Sequence, residues 1–362
     1  MWASRLGTSR AYALKNRGAS ELATRHRGPV NWAIVGCGAI SDLRIAPSLN
    51  ASTINRLAAV TSRDNEKAAR FGRKHGVERV FPSLEALLQE PGLDAVYLAT
   101  PNGLHAAQTL MACQAGKHVL CEKPMALTVA DCEAMVAAAE SHSVKLGIGF
   151  NFRYNPALRE LRRLLAEGSI GQVLHITARW GLPSGRSGWR LDAALAGGGV
   201  LMDMGTHLID LLRFLVGREV VQVHASLDTA TGGWPLDDLM TATLEFAGGV
   251  QGVLAATSRF AFVPNDVEVY GTAGSIRASG TLRAQLTETP PPVGHLEIST
   301  SAGTSRAEFA IVDLFQDQLD SFGRAILENR EPEVVGRDGL RVQEVAAAIQ
   351  ESARMHKSEI SA

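Results

Sequence analysis

Residues 31–41 read Asn31-Trp32-Ala33-Ile34-Val35-Gly36-Cys37-Gly38-Ala39-Ile40-Ser41, an apolar run that ends on two closely spaced glycines. The run Asn31–Gly36 predicts a short strand, and Ile40–Leu49 predicts a helix. Between them Gly36 permits a tight turn, and Gly38 lets the backbone approach a pyrophosphate. The helix start then offers unpaired N–H groups and a positive dipole end to the phosphates. Ser41 stands where the dinucleotide fingerprint has its third glycine, and it is small enough for the helix to pack closely. Alone the pattern is weak. Between a strand and a helix it predicts a dinucleotide-binding turn built from Gly36, Gly38, Ala39, Ile40 and Ser41.

Outward from this turn the chain alternates. Apolar strands over Arg56–Thr61, Asp94–Ala99, Lys117–Cys121 and Lys145–Phe150 are separated by helical patterns over Glu66–Lys74, Leu104–Ala115 and Val129–Ser141. Such alternation predicts an α/β Rossmann domain over residues 31–150, a doubly wound parallel sheet covered on both faces. After residue 150 the grammar changes. A helix over Ala157–Glu167, a strand over Gln172–Gly181 and a helix from Met202 to Val216 lead into strands with no helices between them. Those strands are Val220–Leu227, Leu239–Phe246, Val250–Ser258, Val267–Tyr270 and Ser275–Ala278, and helices near Leu314–Glu328 and Gly339–His356 follow. This predicts a second α/β domain over residues 151–355, with an open mixed, largely antiparallel sheet. One helix layer covers one face of such a sheet, so a second copy is expected on the other, in a homodimer or homotetramer.

Composition sets the outer limits. The 362 residues are 46% hydrophobic and 20% charged with a net charge of −1, a globular balance with no basic stripe for nucleic acid. No apolar run reaches the roughly 18–20 residues that span a bilayer, so no membrane partner is expected. The four cysteines, Cys37, Cys113, Cys121 and Cys132, form no CxxC pair and no metal-ligand cluster, which suits packing thiols in a cytoplasmic protein and no metal. Residues 1–30 carry Arg5, Arg10, Lys15, Arg17, Arg25 and Arg27 against Glu21 alone. This basic extension reads either as an organellar presequence or as an unstructured start, the latter favoured, and it carries no functional argument.

The end of the second strand bears on the cofactor. There the chain reads Thr61-Ser62-Arg63-Asp64. A hydroxyl followed by a guanidinium suits a 2′-phosphate, so Ser62 and Arg63 favour NADP(H), whereas Asp64 reaching a ribose would favour NAD(H). Later strand ends carry Thr100-Pro101-Asn102-Gly103-Leu104-His105 and Glu122-Lys123-Pro124. Ligands of doubly wound folds gather at the carboxyl ends of strands, so both segments are placed to face the cofactor. Lys123 beside Glu122 is a candidate acid/base group, and the Lys123–Pro124 bond is a candidate cis peptide. Further on, Gly197-Gly198-Gly199-Val200-Leu201-Met202-Asp203-Met204-Gly205-Thr206-His207 opens a helix. Asp203 and His207 are four apart and share a face there, with Asp210 close by, while Met204, Leu208, Leu211 and Leu215 form a core stripe. A histidine can give and take a proton near neutral pH, and a carboxylate one turn earlier can orient it.

In their order, these segments resemble the glucose–fructose oxidoreductase/inositol dehydrogenase (Gfo/Idh/MocA) family over residues 31–355. The resemblance implies Lys123 and His207 as the catalytic pair with Asp203 in support. It also implies cofactor contacts from the Gly36–Ser41 turn, Ser62, Arg63, Thr100, Asn102, His105, Glu122, Lys123 and Pro124. Ser187-Gly188-Trp189-Arg190 is similar to the sugar-reductase members, which implies substrate contacts from Trp189 and Arg190 beside Lys123, Asp203 and His207; a loop staple is the plain alternative. The expected activity is nicotinamide-dependent hydride transfer to or from a sugar, cyclitol or related polyol. A cofactor-assisted glycoside-cleaving enzyme and a non-catalytic sugar sensor are the alternatives.

Overall fold

The computed structural model describes residues 28–183, 187–229, 235–259, 263–282, 293–310 and 312–356. Nearly all of the basic extension and the Pro290–Pro292 run lie outside these residues.

β1 (Val30–Val35) enters the glycine turn and leaves it as a π turn, Ser41–Ile45, that continues into α1 (Ala46–Ala51). The expected helix is present and unbroken, with a wider π turn inside it. β2 (Asn55–Thr61) leads to α2 (Asn65–His75), which Asp64 caps by accepting from the Lys67 N–H. β3 (Arg79–Phe81) and α3 (Leu84–Leu88) come next, followed by β4 (Ala95–Leu98), α4 (His105–Gln114), β5 (His118–Cys121), α5 (Val129–Ser141) and β6 (Leu146–Ile148). The six strands form one parallel sheet in the order β3-β2-β1-β4-β5-β6. β1 sits between β2 and β4, and the chain's crossover from β3 to β4 places the glycine turn where the strand order reverses, the ligand crevice of such sheets.

A short 3-10 segment, Asn151–Tyr154, and α6 (Pro156–Ala166) lead to β7 (Val173–Gly181). A 3-10 turn at Gly188–Leu191 and α7 (Ala193–Ala196) precede a π turn, Leu201–Gly205, that runs into α8 (Thr206–Val216). β8 (Val220–Asp228), β9 (Leu239–Phe246), β10 (Gln251–Thr257), β11 (Asp266–Gly271), β12 (Gly274–Ser279), β13 (Val293–Thr300) and β14 (Gly303–Ala310) complete a second sheet. Its order is β14-β13-β12-β11-β7-β10-β9-β8, with β7 and β10 parallel and the other pairs antiparallel. The mixed, largely antiparallel expectation is met.

β3, β13 and β14 are absent from the sequence reading for a physical reason. β3 and β14 are edge strands with mostly exposed residues, such as Gly303-Thr304-Ser305-Arg306, so no apolar run marks them.

The last two helices, α9 (Leu314–Leu327) and α10 (Gly336–His356), pack on different layers. α9 returns to the first sheet. Phe315, Leu319 and Phe322 join Trp32, Ile34 and Val60 in one core, with the Phe322 ring tilted against that of Trp32 at 5.5 Å. The Trp32 indole donates to Asn55 Oδ1 at 2.8 Å, and Asn55 Nδ2 donates to Asp320 Oδ1 at 2.8 Å. The core stripe read on α8 is buried: Met204, Leu208, Leu211 and Leu215 are at most 4% exposed.

Candidate active site

The glycine turn works as its residues require. Gly36 has φ +100°, and a Cβ there would lie 2.6 Å from the Ala99 carbonyl oxygen, so only glycine fits. The Ser41 hydroxyl donates to the Gly36 carbonyl at 2.6 Å and locks the turn. Gly36 and Ser41 therefore shape the turn, while Gly38, Ala39 and Ile40 form one wall of a cavity of about 310 Å³. A Cβ on Gly38 would meet nothing within 4 Å, which leaves its backbone open to a phosphate. The donor set and this open face fit a dinucleotide.

Strand ends supply the next wall. Thr100 and Asn102 follow β4, and Glu122, Lys123 and Pro124 follow β5; all five border the cavity, and the Lys123–Pro124 bond is cis. Asn102 is tied across to the second sheet's side, its Nδ2 donating to the Ala196 carbonyl at 2.9 Å. His105 is different. It is fully buried, with Nδ1 2.9 Å from the Pro124 carbonyl oxygen and Nε2 3.0 Å from that of Thr100. Both ring nitrogens are engaged with backbone, so His105 braces the two cofactor-facing loops from behind and is not part of the cavity wall.

Glu122 is half-buried beside Lys123. The Tyr97 hydroxyl donates to Glu122 Oε1 at 2.5 Å, and the Lys123 N–H donates to Oε2 at 3.1 Å. Burial raises the Glu122 carboxyl above its usual range, against the opposing pull of Lys123 and Tyr97.

Lys123 reaches across the cavity to the second part of the chain. Its Nζ donates to the Asp203 backbone carbonyl at 2.6 Å and to Asp203 Oδ1 at 3.2 Å. His207 borders the same cavity. The sequence expectation that Asp203 orients His207 meets a different geometry here. The π turn widens the spacing ahead of His207, and the Asp203 carboxylate bonds to Lys123, while His207 Nδ1 has no hydrogen-bond partner among the described residues. Phe152 and Trp180 pack on the imidazole at 5.0 and 5.5 Å, with Phe150 edge-on at 6.3 Å. Burial in this aromatic nest, reinforced by the Lys123 charge and opposed by Asp203, drives the His207 pKa well below its ordinary value and keeps the ring neutral. Asp210 lies one turn further and does not reach the cavity. It is buried in a double hydrogen bond with Arg153, Nε to Oδ2 at 2.9 Å and Nη2 to Oδ1 at 2.6 Å.

Trp189 and Arg190 border the cavity from the 3-10 turn Gly188–Leu191, the guanidinium stacked 4.5 Å over the indole ring. Asn151, Phe152 and Trp180 are wall residues that sequence reasoning missed. The signal for Asn151 and Phe152 was the strand end Gly149-Phe150-Asn151-Phe152, one more carboxyl end of the parallel sheet, whereas Trp180 comes from the end of β7. Ser62 and Arg63 do not border this cavity. They sit half-buried and exposed, respectively, at the end of β2, with Asp64 occupied as the cap of α2. A second cavity of about 250 Å³ is lined by Gly38 and Ala39 of the glycine turn with Asp42, Lys67, Arg70 and Lys74, and Ser62 and Arg63 do not border it either. Among the described residues no His, Cys, Asp and Glu group has metal-ligand geometry, and no helix is long and apolar enough to cross a membrane.

Comparison with known proteins accords with this arrangement. Residues 30–150 match the Gfo/Idh/MocA oxidoreductase family, NAD-binding Rossmann fold, and residues 158–277 match the Gfo/Idh/MocA C-terminal domain. The chain is 32% identical to a 1,5-anhydro-D-fructose reductase from Ensifer adhaerens, over 85% of this chain and 92% of that one. An aldose-aldose oxidoreductase from Caulobacter crescentus, solved with glycerol, superposes with a TM-score of 0.83 at 32% identity, covering 91% of this chain and 98% of the other. A 3-ketoreductase from Actinomadura kijaniata, solved with NADP and TDP-benzene, gives a TM-score of 0.80 at 26% identity over 90% and 98% of the two chains. With its glycine turn, its whole first sheet and the helical segment bearing Asp203 and His207 all in the matched regions, the chain belongs to the Gfo/Idh/MocA family of NAD(P)-dependent oxidoreductases.

Proposed function

We propose that this enzyme interconverts a hydroxyl and a carbonyl on a sugar, cyclitol or related polyol with NADP(H) as the preferred cofactor, and that Lys123 and His207 move the proton. The observation that carries the reading is the meeting of Lys123, Asp203 and His207 in one cavity whose opposite wall is the glycine turn. A bound nicotinamide supplies or accepts the hydride. Gly38, Ala39 and the strand-end loops would hold the dinucleotide, and Trp189 and Arg190 stand where they could hold substrate. In oxidation the neutral imidazole of His207 takes the hydroxyl proton, and Lys123, anchored on Asp203, donates a hydrogen bond to the same oxygen. In reduction the two groups return the proton. Phe152 and Trp180 shield the imidazole from water, and holding the reacting atoms in contact removes much of the entropic part of the barrier.

The NADP(H) preference is supported by Arg63 at the end of β2, by Lys67 and Arg70 lining the neighbouring cavity, and by the engagement of Asp64 as a helix cap. Four free, buried cysteines suit the reducing cytoplasm as its place of action. We also assign a homo-oligomer through the open face of the second sheet. The test is an absorbance assay of the reduced nicotinamide with both cofactors against aldoses, ketoses, cyclitols and diols, 1,5-anhydro-D-fructose included. Turnover with NADP(H) on a polyhydroxylated substrate is the expected result, and absence of turnover across the panel with either cofactor would overturn the reading.

A further inference from the structure

The segment that presents Asp203 and His207 begins without a cap of its own. Gly197-Gly198-Gly199-Val200 offers no side chain to the unpaired N–H groups at a helix start, and no local side-chain cap is formed. Those groups are satisfied from a distant segment by one residue. Asp237 Oδ1 accepts from the Gly199 N–H at 2.6 Å and Oδ2 from the Leu201 N–H at 2.8 Å. The Asp237 backbone carbonyl accepts from Val200 between them, also at 2.8 Å. The small residues make this approach possible. A Cβ on Gly198 would lie 2.9 Å from Met202 Cγ and 3.5 Å from Asp237 Oδ1.

The clamp is itself anchored. Its neighbour Asp238 is 2% exposed and accepts from Arg259 Nε at 2.7 Å, and the Asp238 carbonyl accepts from the Ser258 N–H at 3.0 Å. A negative group at this end also complements the helix dipole.

We infer that Asp237 is a positioning residue for the reaction: its carboxylate fixes the register of the segment that carries Asp203 and His207. The inference rests on the catalytic reading of Lys123 and His207 given above. Its physical basis is the π turn Leu201–Gly205: the change from the α-type bond of the Asp203 N–H to the Gly199 carbonyl, at 3.0 Å, to the wider bond of the Thr206 N–H to the Leu201 carbonyl leaves the register of the segment to be set by its first turn. Lys123 Nζ bonds both the Asp203 backbone carbonyl and its carboxylate, so a slip of the segment moves both acceptors at once and carries the imidazole with them. Asp237 is absent from the cavity wall, so its effect passes entirely through the segment it holds.

The test uses the full chain with Asp237→Ala, the best sugar from the substrate panel, and sodium formate as a replacement carboxylate. Hydrogen exchange at the Gly199, Val200 and Leu201 amides should accelerate, while the Kd for NADPH stays at the wild-type value. kcat should fall about tenfold or more, the loss of roughly one or two charge-assisted hydrogen bonds' worth of positioning. Formate, but not sodium chloride at equal ionic strength, should restore both exchange protection and kcat. An unchanged kcat, or a loss that formate does not reverse, overturns the inference. Should the alanine variant not fold, the isosteric Asp237→Asn serves: its amide accepts one N–H and turns its NH2 on the other, so kcat falls, and a wild-type kcat overturns the inference. His207→Ala run alongside separates the two readings. Full activity there removes the catalytic assignment, whereas an inactive His207→Ala beside a fully active Asp237 variant removes only the clamp.

Discussion

Lys123 approaches the cavity from a strand end of the first sheet and His207 from α8, and each meets its own surroundings: Lys123 a carboxylate and a carbonyl, His207 three aromatic rings. Lys123→Met or His207→Ala should lower kcat by roughly 10²–10⁴-fold with the Kd for NADPH held, the range for a positioned acid/base group. Stopped-flow turnover and fluorescence titration check the two halves of that statement. The depressed His207 pKa sets the pH dependence. In the oxidation direction the base form persists below the free-histidine pKa of 6.5, so the acid limb of kcat/KM should fall below that value in wild type. Stability follows the same sign: below pH 6.5 the unfolded chain binds a proton that native His207 refuses, so this residue's contribution favours unfolding as pH falls. At the cofactor's other end, Ser62→Asp with Arg63→Ala should weaken NADPH by roughly ten- to a hundredfold, about 1.5–3 kcal/mol, and hold or improve NADH. Equal loss of both cofactors in that variant would count against a 2′-phosphate contact. That Lys123, Asp203 and His207 share one cavity was legible because their motifs stand at a strand end and at a helix start. Their pairing was not: four-residue spacing assumes an α-helix, and the π turn hands Asp203 to Lys123 instead.

Between elements, the buried charges are the fixed points. Arg153 follows directly on the cavity residues Asn151 and Phe152, and its guanidinium joins Asp210 on α8 to Asp338 on α10, with Nη2 2.8 Å from Asp338 Oδ1. Replacing Arg153 with Met leaves Asp210 and Asp338 with only the more distant Arg213, whose Nη1 lies 3.9 and 3.6 Å from them, and should cost about 3–5 kcal/mol, the usual result of breaking a buried pair from one side. Urea titration followed by circular dichroism measures it; a change under 1 kcal/mol, the scale of an exposed pair, would show that the network contributes little. The sequence marked Asp210 as polar on an apolar helix, which is legible, but gave no sign of Arg153 as its counter-ion, because the two are far apart in the chain. The same limit explains the strands. Central strands such as β9 announce themselves by hydrophobic runs, whereas β14 at the edge is written in Thr304, Ser305, Arg306 and Glu308 and reads as loop.

On the scale of the whole molecule, α6 and α8 pack on one face of the second sheet, where Ile176 and Ala178 of β7 are fully buried. The opposite face carries a ladder of charge: Arg179 and Arg277 both bond to Asp266 Oδ2, at 3.0 and 2.8 Å, with Glu268 3.2 Å from Arg179. A copy docked there would meet polar atoms, so the oligomer should weaken in high salt. Multi-angle light scattering should give a dimer or tetramer in wild type, and Glu268→Arg should shift it toward monomer. A monomer in wild type at micromolar concentration removes the assignment. The alternation of strands and helices up to residue 150 forecast the first sheet, but an amphipathic pattern states only that α9 has a buried face, never which sheet it will cover. That return has a consequence for how the protein comes into being. During synthesis the glycine turn and all six strands of the first sheet leave the ribosome with Trp32 uncovered, and Phe315, Leu319 and Phe322 emerge only after every strand of the second sheet has been made. The nascent first half must therefore wait, partly solvated, for its last structural piece, and a fragment ending at residue 150 would carry that exposed apolar patch permanently and be drawn to chaperones or to its own kind.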